Sequence, residues 1–155
     1  MSVIKVGNVL VAQGNLPEAL KSYRDSLTNF DRLAQSDPGN AGWQRDLSVS
    51  FSKLGNVLVA QGNLPEALTS YLDSLTIADR LARSDPDNAG WQRDLAASLG
   101  NVAIVQERQG ARATALATFR QGRDIIAGLL RKSPDNAALP NDLARFDASI
   151  AALET

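Results

Sequence analysis

The sequence predicts an all-α protein in which antiparallel helix pairs stack into a solenoid. Three observations carry this prediction: a long segment recurs along the chain, each copy holds two stretches of apolar residues at helical spacing, and turn-forming residues separate those stretches. No segment alternates apolar and polar residues as a half-buried strand would. Since one helix pair cannot bury its own apolar stripe, neighbouring pairs are expected to share a core.

The repeat has a period of 48 residues. Residues 7–20 return unchanged as residues 55–68, and 35 of 42 positions are identical between residues 6–47 and 54–95. A third, diverged copy follows at the same offset. We therefore predict one repeat domain over residues 1–155, with units at about 1–40, 41–88 and 89–136 and a capping helix at 137–153.

About seven helices are predicted, and turn residues set their ends. They are expected near residues 2–13, 16–35, 41–61, 64–83, 89–109, 112–132 and 137–153. Gly62 is suited to end a helix in the left-handed conformation, and Asn63 to cap the next one in a capping box with Glu66. That helix ends before Pro86, because a residue preceding proline avoids the helical region, and Asn88 caps the helix that follows.

The composition excludes several kinds of site. The chain has no histidine and no cysteine, which removes disulfides, thiolate chemistry, structural zinc and histidine-based catalysis. Any catalysis would need paired carboxylates or an activated lysine, and the acidic residues fall mostly at helix caps and surfaces. We therefore predict no enzyme activity, no cofactor and no metal.

Charge and hydropathy bear on partners and compartment. The net charge of −1 argues against nucleic acid as a partner. Residues 105–132 are locally basic, and without interleaved aromatic residues they predict a solvated face or an acidic partner instead. No run of about 18 apolar residues occurs, and the first residues lack a signal-peptide pattern. No membrane association is expected, and the predicted location is cytoplasmic.

The second unit resembles a tetratricopeptide repeat. The resemblance rests on Phe51, Leu54, Gly55, Leu58, Gly62, Ala67, Tyr71, Ser74 and Pro86, and the first unit matches the same pattern from Val3 to Pro38. The period of 48 exceeds the family's usual length of about 34 residues by roughly two turns in each helix. This is similar to a bacterial long-repeat variant in the style of kinesin light chain. The resemblance implies a right-handed solenoid that acts as a non-catalytic interaction module.

The resemblance also implies a concave groove, lined by the first helix of each pair, that binds a peptide or a partner's segment. The matching positions are Ile4, Asn8 and Val11 in the first unit, Val49, Ser52, Asn56 and Val59 in the second, and Ala97, Gly100, Ile104 and Glu107 in the third. The added turns place Arg45 and Arg93 on or near this face. A chaperone-type carboxylate clamp is not predicted, because only Asn8 fits its pattern.

Two asparagines and two arginines are the main candidates for binding. Asn8 and Asn56 each offer a donor and an acceptor to a ligand's backbone; alternatively they are exposed residues made identical by duplication. Arg45 and Arg93 are suited to hold a carboxylate by two hydrogen bonds. The alternative for both arginines is an ion pair within the chain.

The N-terminal end predicts an alternative function of a different class. By the 48-residue offset the first helix lacks its opening turns, so its partner helix is expected to expose Phe30 and Leu33. These residues would form an oligomer interface, and the chain would be a self-assembling structural element. On this hypothesis the array is cut from a longer one or pairs with another chain.

Overall fold

The computed structural model describes residues 3–155, with side chains from residue 7 onwards. Within that range the chain forms seven α-helices and no strand. They are α1 (Val3–Ala12), α2 (Leu16–Ser36), α3 (Ala41–Ala60), α4 (Leu64–Ser84), α5 (Ala89–Arg108), α6 (Arg112–Lys132) and α7 (Leu139–Glu154). The predicted all-α fold is confirmed, and each helix begins and ends within about two residues of its expected position.

Glycine and asparagine set the helix ends as the sequence predicted. Three glycines that follow helices have positive φ, namely Gly14 at 74°, Gly62 at 80° and Gly110 at 84°. Glycine adopts this conformation without a steric penalty from Cβ. The side chain of Asn63 accepts a hydrogen bond from the Glu66 amide at 3.4 Å and donates to the Glu66 carboxylate at 2.8 Å. Asn63 therefore caps α4 as predicted, but the capping box is only half formed, because the backbone N–H of Asn63 donates to the Leu58 carbonyl at 2.9 Å rather than to Glu66. Asn88 likewise caps α5.

The helices divide into two compact parts, an N-terminal half of residues 1–77 and a C-terminal half of residues 78–155. In the N-terminal half, α2 packs against both α1 and α3. In the C-terminal half, α6 packs in the same way against α5 and α7. Each half thus contains adjacent helices packed as a repeat array.

A tyrosine ring packs directly on a helical glycine in each of the first two repeats. A Cβ atom on Gly55 would lie 2.5 Å from Cε1 of Tyr71, and one on Gly7 would lie 2.6 Å from Cε1 of Tyr23. Glycine at these positions therefore permits close helix packing, and the closest neighbour is the tyrosine ring rather than the partner backbone.

The helix–helix contact at α6 and α7 differs from its counterpart at α2 and α3. In the N-terminal half, the hydroxyl oxygens of Ser26 and Ser50 lie 3.4 Å apart. Two repeat periods later the equivalent pair is Gly122 and Phe146, and a Cβ on Gly122 would lie 2.5 Å from Cε1 of Phe146. The Phe146 ring also meets Phe119 edge-on, with centroids 6.5 Å apart. The two serines of the α2–α3 contact are thus replaced at the α6–α7 contact by a glycine, which has no side chain, and by a phenylalanine, which has a large one.

Acidic residues of α7 pair with the basic residues of the preceding helices. The ion pairs are Arg93–Asp142 at 2.6 Å, Arg123–Asp147 at 2.6 Å and Arg120–Glu154 at 2.7 Å. Arg112 adds a hydrogen bond to the Leu153 carbonyl at 2.7 Å, where the end of α7 has unpaired carbonyls. For the basic residues 105–132 the sequence predicted a solvated face or an acidic partner. Two of these arginines, Arg120 and Arg123, pair with acidic residues of α7 in the same chain.

Candidate functional site

The N-terminal half contains a cleft between α1 and α3, on the face that the sequence predicted to bind partners. Its volume is about 320 Å³. Its walls are formed by Asn8, Val11, Ala12, Leu16, Tyr23, Lys53, Asn56, Val57 and Ala60. Three predicted groove residues, Asn8, Val11 and Asn56, therefore line one cleft.

Each asparagine of this N-terminal cleft is held by a tyrosine from the partner helix. The Tyr23 hydroxyl donates to Oδ1 of Asn8 at 2.5 Å, and the Tyr71 hydroxyl donates to Oδ1 of Asn56 at 2.5 Å. Both rings are buried, whereas both amides are exposed. Burial raises the pKa of Tyr23, so its phenol stays protonated and donates at neutral pH. Oδ1 already accepts one bond and keeps a second lone pair, so the two donors of Nδ2 are the main groups that each amide offers to a ligand.

Lys53 gives the N-terminal cleft a positive charge. Its side chain is half-buried and forms no ion pair within residues 7–155. An ammonium group only donates hydrogen bonds, as do the two exposed Nδ2 groups. The cleft is therefore suited to a ligand rich in acceptors, such as peptide carbonyl or carboxylate oxygens.

The third repeat loses the asparagine and the tyrosine hydroxyl together. Ile104 occupies the position of Asn56, and Phe119 occupies the position of Tyr71. This joint change indicates that the two polar groups act as a pair. Sequence reasoning identified the asparagines and missed the tyrosines, although this substitution pattern was visible in the internal repeats.

The C-terminal half contains a second cleft, between α5 and α7, with a volume of about 380 Å³. Four predicted groove residues line it: Arg93, Ala97, Gly100 and Ile104. Its other walls come from Asp94, Asn101, Phe119, Ile126, Asp142, Arg145, Phe146 and Ser149. Sequence reasoning missed the contribution of α7, which it treated only as a capping helix.

Arg93 is engaged within the chain. Its Nε donates to Asp142 at 2.6 Å and its Nη2 donates to the second oxygen of the same carboxylate at 3.2 Å. Hydrogen bonding and the charge of Asp142 raise the pKa of Arg93. This is the intramolecular alternative that the sequence left open. Arg45 is exposed on α3 and also interacts with another group of the protein.

Comparison with known families identifies the repeat. Residues 48–86, which cover most of α3 and all of α4, match the family described as Tetratricopeptide repeat. This match supports a tetratricopeptide-type repeat protein. A comparison with curated proteins found no match. Tetratricopeptide repeats generally mediate protein–protein interaction, and their fold is generally non-catalytic.

The remaining predicted residues of this chain lie outside both clefts. Val49, Ser52 and Val59 are half-buried on α3, Glu107 is exposed on α5, and Phe30 and Leu33 are half-buried on α2. The Ser52 hydroxyl lies 2.7 Å from the Ser74 hydroxyl, so it takes part in helix packing. The side chain of Ile4 lies outside the described residues. No helix in the described part of the chain has the length and apolarity that crossing a membrane requires.

Proposed function

We propose that this tetratricopeptide protein binds an extended segment of a partner protein in its N-terminal cleft. In this proposal Nδ2 of Asn8 and Nδ2 of Asn56 donate hydrogen bonds to main-chain carbonyl oxygens of the segment. The observation that supports it is the pair of exposed amides, each held by a buried tyrosine hydroxyl. Asn8 and Asn56 are equivalent residues one repeat apart, so they offer the same group twice.

The tyrosine contacts favour this role physically. An amide that is already oriented loses little conformational freedom when a ligand binds, which improves affinity. Main-chain carbonyls are present in every peptide, so recognition through them tolerates many sequences. Lys53 adds a preference for acidic residues, because its ammonium group has no ion pair in the described structure.

The proposal predicts that Asn8→Asp combined with Asn56→Asp weakens peptide binding about tenfold. Aspartate has the shape of asparagine and can still accept from the tyrosine hydroxyl, but it lacks the Nδ2 donor. The probes are peptides selected from a random dodecapeptide display library on the wild-type chain. Their affinities for the wild type and the double variant are then measured by isothermal titration calorimetry.

The matched control is Asn29→Asp, since Asn29 is an exposed asparagine on α2 that does not line the cleft. It introduces the same negative charge per site and is expected to leave affinity unchanged. Circular dichroism checks that all variants keep the helical fold. If the double variant binds the selected peptides as tightly as the wild type, or if selection enriches no peptide, the proposal is wrong.

We propose as the second candidate a self-association through α1, which a comparison of equivalent residues favours. Val9 is 44% exposed, whereas its equivalents Val57 and Val105 are only 2% and 0% exposed. An apolar side chain that is buried in two repeats and exposed in the first is suited to pack against a second copy of the chain. The half-buried Phe30 and Leu33 on α2 would extend that interface.

Self-association predicts a mass that rises with concentration in size-exclusion light scattering. Val9→Ser is expected to shift the population to monomer, because it removes apolar area from the interface. Thr28→Ser, an exposed change on α2, serves as the control and is expected to leave the mass distribution unchanged. A wild-type chain that stays monomeric at every concentration rules out this second function.

A further inference from the structure

We infer that the surface of α5 and α6 on which α7 packs, here called the α7 seat, also accepts the α7 helix of a second copy of this chain. Two chains would then exchange their last helices and form a reciprocal dimer. The inference goes beyond both proposed functions, since it involves neither the N-terminal cleft nor α1. Three features of the C-terminal half support it: the connection into α7, contacts that α7 alone can make, and ion pairs that lie at the surface.

The connection that leads into α7 is longer than its counterparts, and it leaves the helix without a cap. Residues 133–138 separate α6 from α7, whereas residues 37–40 precede α3 and residues 85–88 precede α5. Asn88 accepts a hydrogen bond from the amide three residues on, but the equivalent Asn136 accepts from the amide of Ala138, only two residues on. Among the described residues, no side chain caps α7. A helix start without a cap is a weak point, at which local opening costs less free energy.

The connection is also long enough to carry α7 away from its own α6. Extended backbone spans up to about 3.5 Å per residue, so residues 133–138 reach about 20 Å. Packed helices lie only about 8–10 Å apart between their axes. Pro134 keeps the preceding residue out of the helical region, so an opened connection does not join α6 and α7 into one continuous helix. Release of α7 therefore leaves a separate helix that is free to pack elsewhere.

The α7 seat pairs with acidic residues that the equivalent helices lack. Asp147 pairs with Arg123 at 2.6 Å, and Glu154 pairs with Arg120 at 2.7 Å. At these two positions α3 has Phe51 and Leu58, and α5 has Leu99 and Gln106. Neither α3 nor α5 of another copy would satisfy both arginines, whereas α7 of another copy carries both carboxylates.

The packing at Gly122 selects the same helix. Phe146 fills the space beside this glycine, where a Cβ would lie 2.5 Å from Cε1 of the ring. The equivalent residues of α3 and α5 are Ser50 and Ser98, which are too small to fill that space. A second copy of α7 restores the phenylalanine and both ion pairs, and reciprocal exchange changes only the conformation of residues 133–138. The contacts therefore favour a second copy of this chain as the occupant of the seat.

The ion pairs of α7 discriminate between helices more than they hold one in place. The side chains of Arg123 and Asp147 are 40% and 49% exposed, and those of Arg120 and Glu154 are 53% and 51% exposed. Exposed ion pairs each contribute little stability, but like charges at the same positions would disfavour a wrong partner. A helix that is recognised in this way is suited to exchange with an identical one.

The experiment reverses the charges of the joint in two separate full-length chains. One variant carries Asp147→Arg with Glu154→Arg, and the other carries Arg120→Glu with Arg123→Asp. Each variant alone brings like charges together, whether α7 binds its own chain or an identical copy. In an equimolar mixture, complementary charges meet at the joint only when the two variants exchange α7.

Native mass spectrometry of the mixture is the measurement, because the two variants differ in mass and their heterodimer is distinct from either homodimer. Samples are mixed in the folded state and also refolded together from guanidinium, so that slow exchange does not hide the dimer. After either preparation the heterodimer is expected to be at least about tenfold more abundant than either homodimer. Val9→Ser in both variants is expected to leave this ratio unchanged, which separates this dimer from self-association through α1.

Two controls assign the heterodimer to the joint. A chain that carries all four changes restores both ion pairs within itself and is expected to show the same dimer fraction as the wild type. The matched control places the same charge reversals at exposed positions outside the α7 ion pairs. One chain carries Glu107→Arg with Asp135→Arg, and the other carries Arg131→Glu with Lys132→Asp. This mixture is expected to give no excess of heterodimer.

The inference is wrong if the heterodimer is no more abundant than the homodimers after both preparations. It is equally wrong if the matched control mixture gives as much heterodimer, because net charge would then be the cause, or if Val9→Ser abolishes the dimer. Should circular dichroism show that a double variant loses helix, the single changes Asp147→Arg and Arg123→Asp replace it. For these an excess of at least about threefold is expected, and equal abundance overturns the inference.

Discussion

Phe146→Ala is expected to lower the free energy of unfolding of the C-terminal half by about 3 kcal/mol. The phenylalanine ring packs on Phe119 and fills the space that Gly122 leaves between α6 and α7. Its removal leaves a cavity and takes away the contact of this ring with Phe119. Guanidinium denaturation followed by Trp91 fluorescence measures the effect, in a Trp43→Phe background where Trp91 is the sole tryptophan.

A double-mutant cycle tests whether Gly122 and Phe146 act as a pair. Gly122→Ser alone is expected to be destabilising, because its Cβ would lie 2.5 Å from the ring of Phe146. Combined with Phe146→Ser it recreates the Ser26–Ser50 contact of the N-terminal half. The double variant is therefore expected to lose about 1–2 kcal/mol less than the sum of the single variants. Additive losses would contradict this account of the α6–α7 contact.

Gly55→Ala is expected to lower the free energy of unfolding of the N-terminal half by about 2 kcal/mol. The new methyl group would lie 2.5 Å from Cε1 and 2.6 Å from Cδ1 of Tyr71, and the buried ring must shift. That shift also disturbs the hydrogen bond from Tyr71 to Asn56. Denaturation followed by Trp43 fluorescence in a Trp91→Phe background measures the loss.

The matched control for this change is Gly128→Ala on α6. Its Cβ would lie 3.7 Å from the Arg131 side chain, so the methyl group fits without strain. Alanine is a better helix former than glycine, and a gain of about 0.5–1 kcal/mol is expected. Replacing glycine by alanine is thus expected to lower the free energy of unfolding at position 55 and to raise it at position 128. If Gly55→Ala instead stabilised the protein, the packing of the Tyr71 ring would not depend on the glycine.

The fold was predictable because each turn residue and each apolar position that defines a helix recurs in more than one copy of the repeat. Gly62 and its equivalents end helices, and Asn63 and Asn88 begin them, so that turn chemistry and apolar spacing agree. Local signals of this kind depend on residues close in sequence. They therefore fix helix boundaries without knowledge of the tertiary structure.

The candidate sites were predictable only in part, since they depend on contacts between helices. The periodicity placed Asn8 and Asn56 on the binding face, but the tyrosine hydroxyls that hold them lie on other helices. Similarly, the sequence predicted either a ligand or a group of the chain itself as the partner of Arg93, and its bond to Asp142 depends on the position of α7. Side chains from distant elements are the part of a site that helical spacing does not determine.

The amides of Asn8 and Asn56 are proposed to donate hydrogen bonds to a bound peptide. The most direct measurement is the ¹⁵N–¹H spectrum of the asparagine side chains, recorded while a selected peptide is titrated into the wild-type chain. The Nδ2 signals of Asn8 and Asn56 are expected to shift in proportion to peptide saturation, whereas the Nδ2 signal of Asn29 is expected to stay in place. Saturation of the peptide without movement of the Asn8 and Asn56 side-chain signals would contradict this proposal.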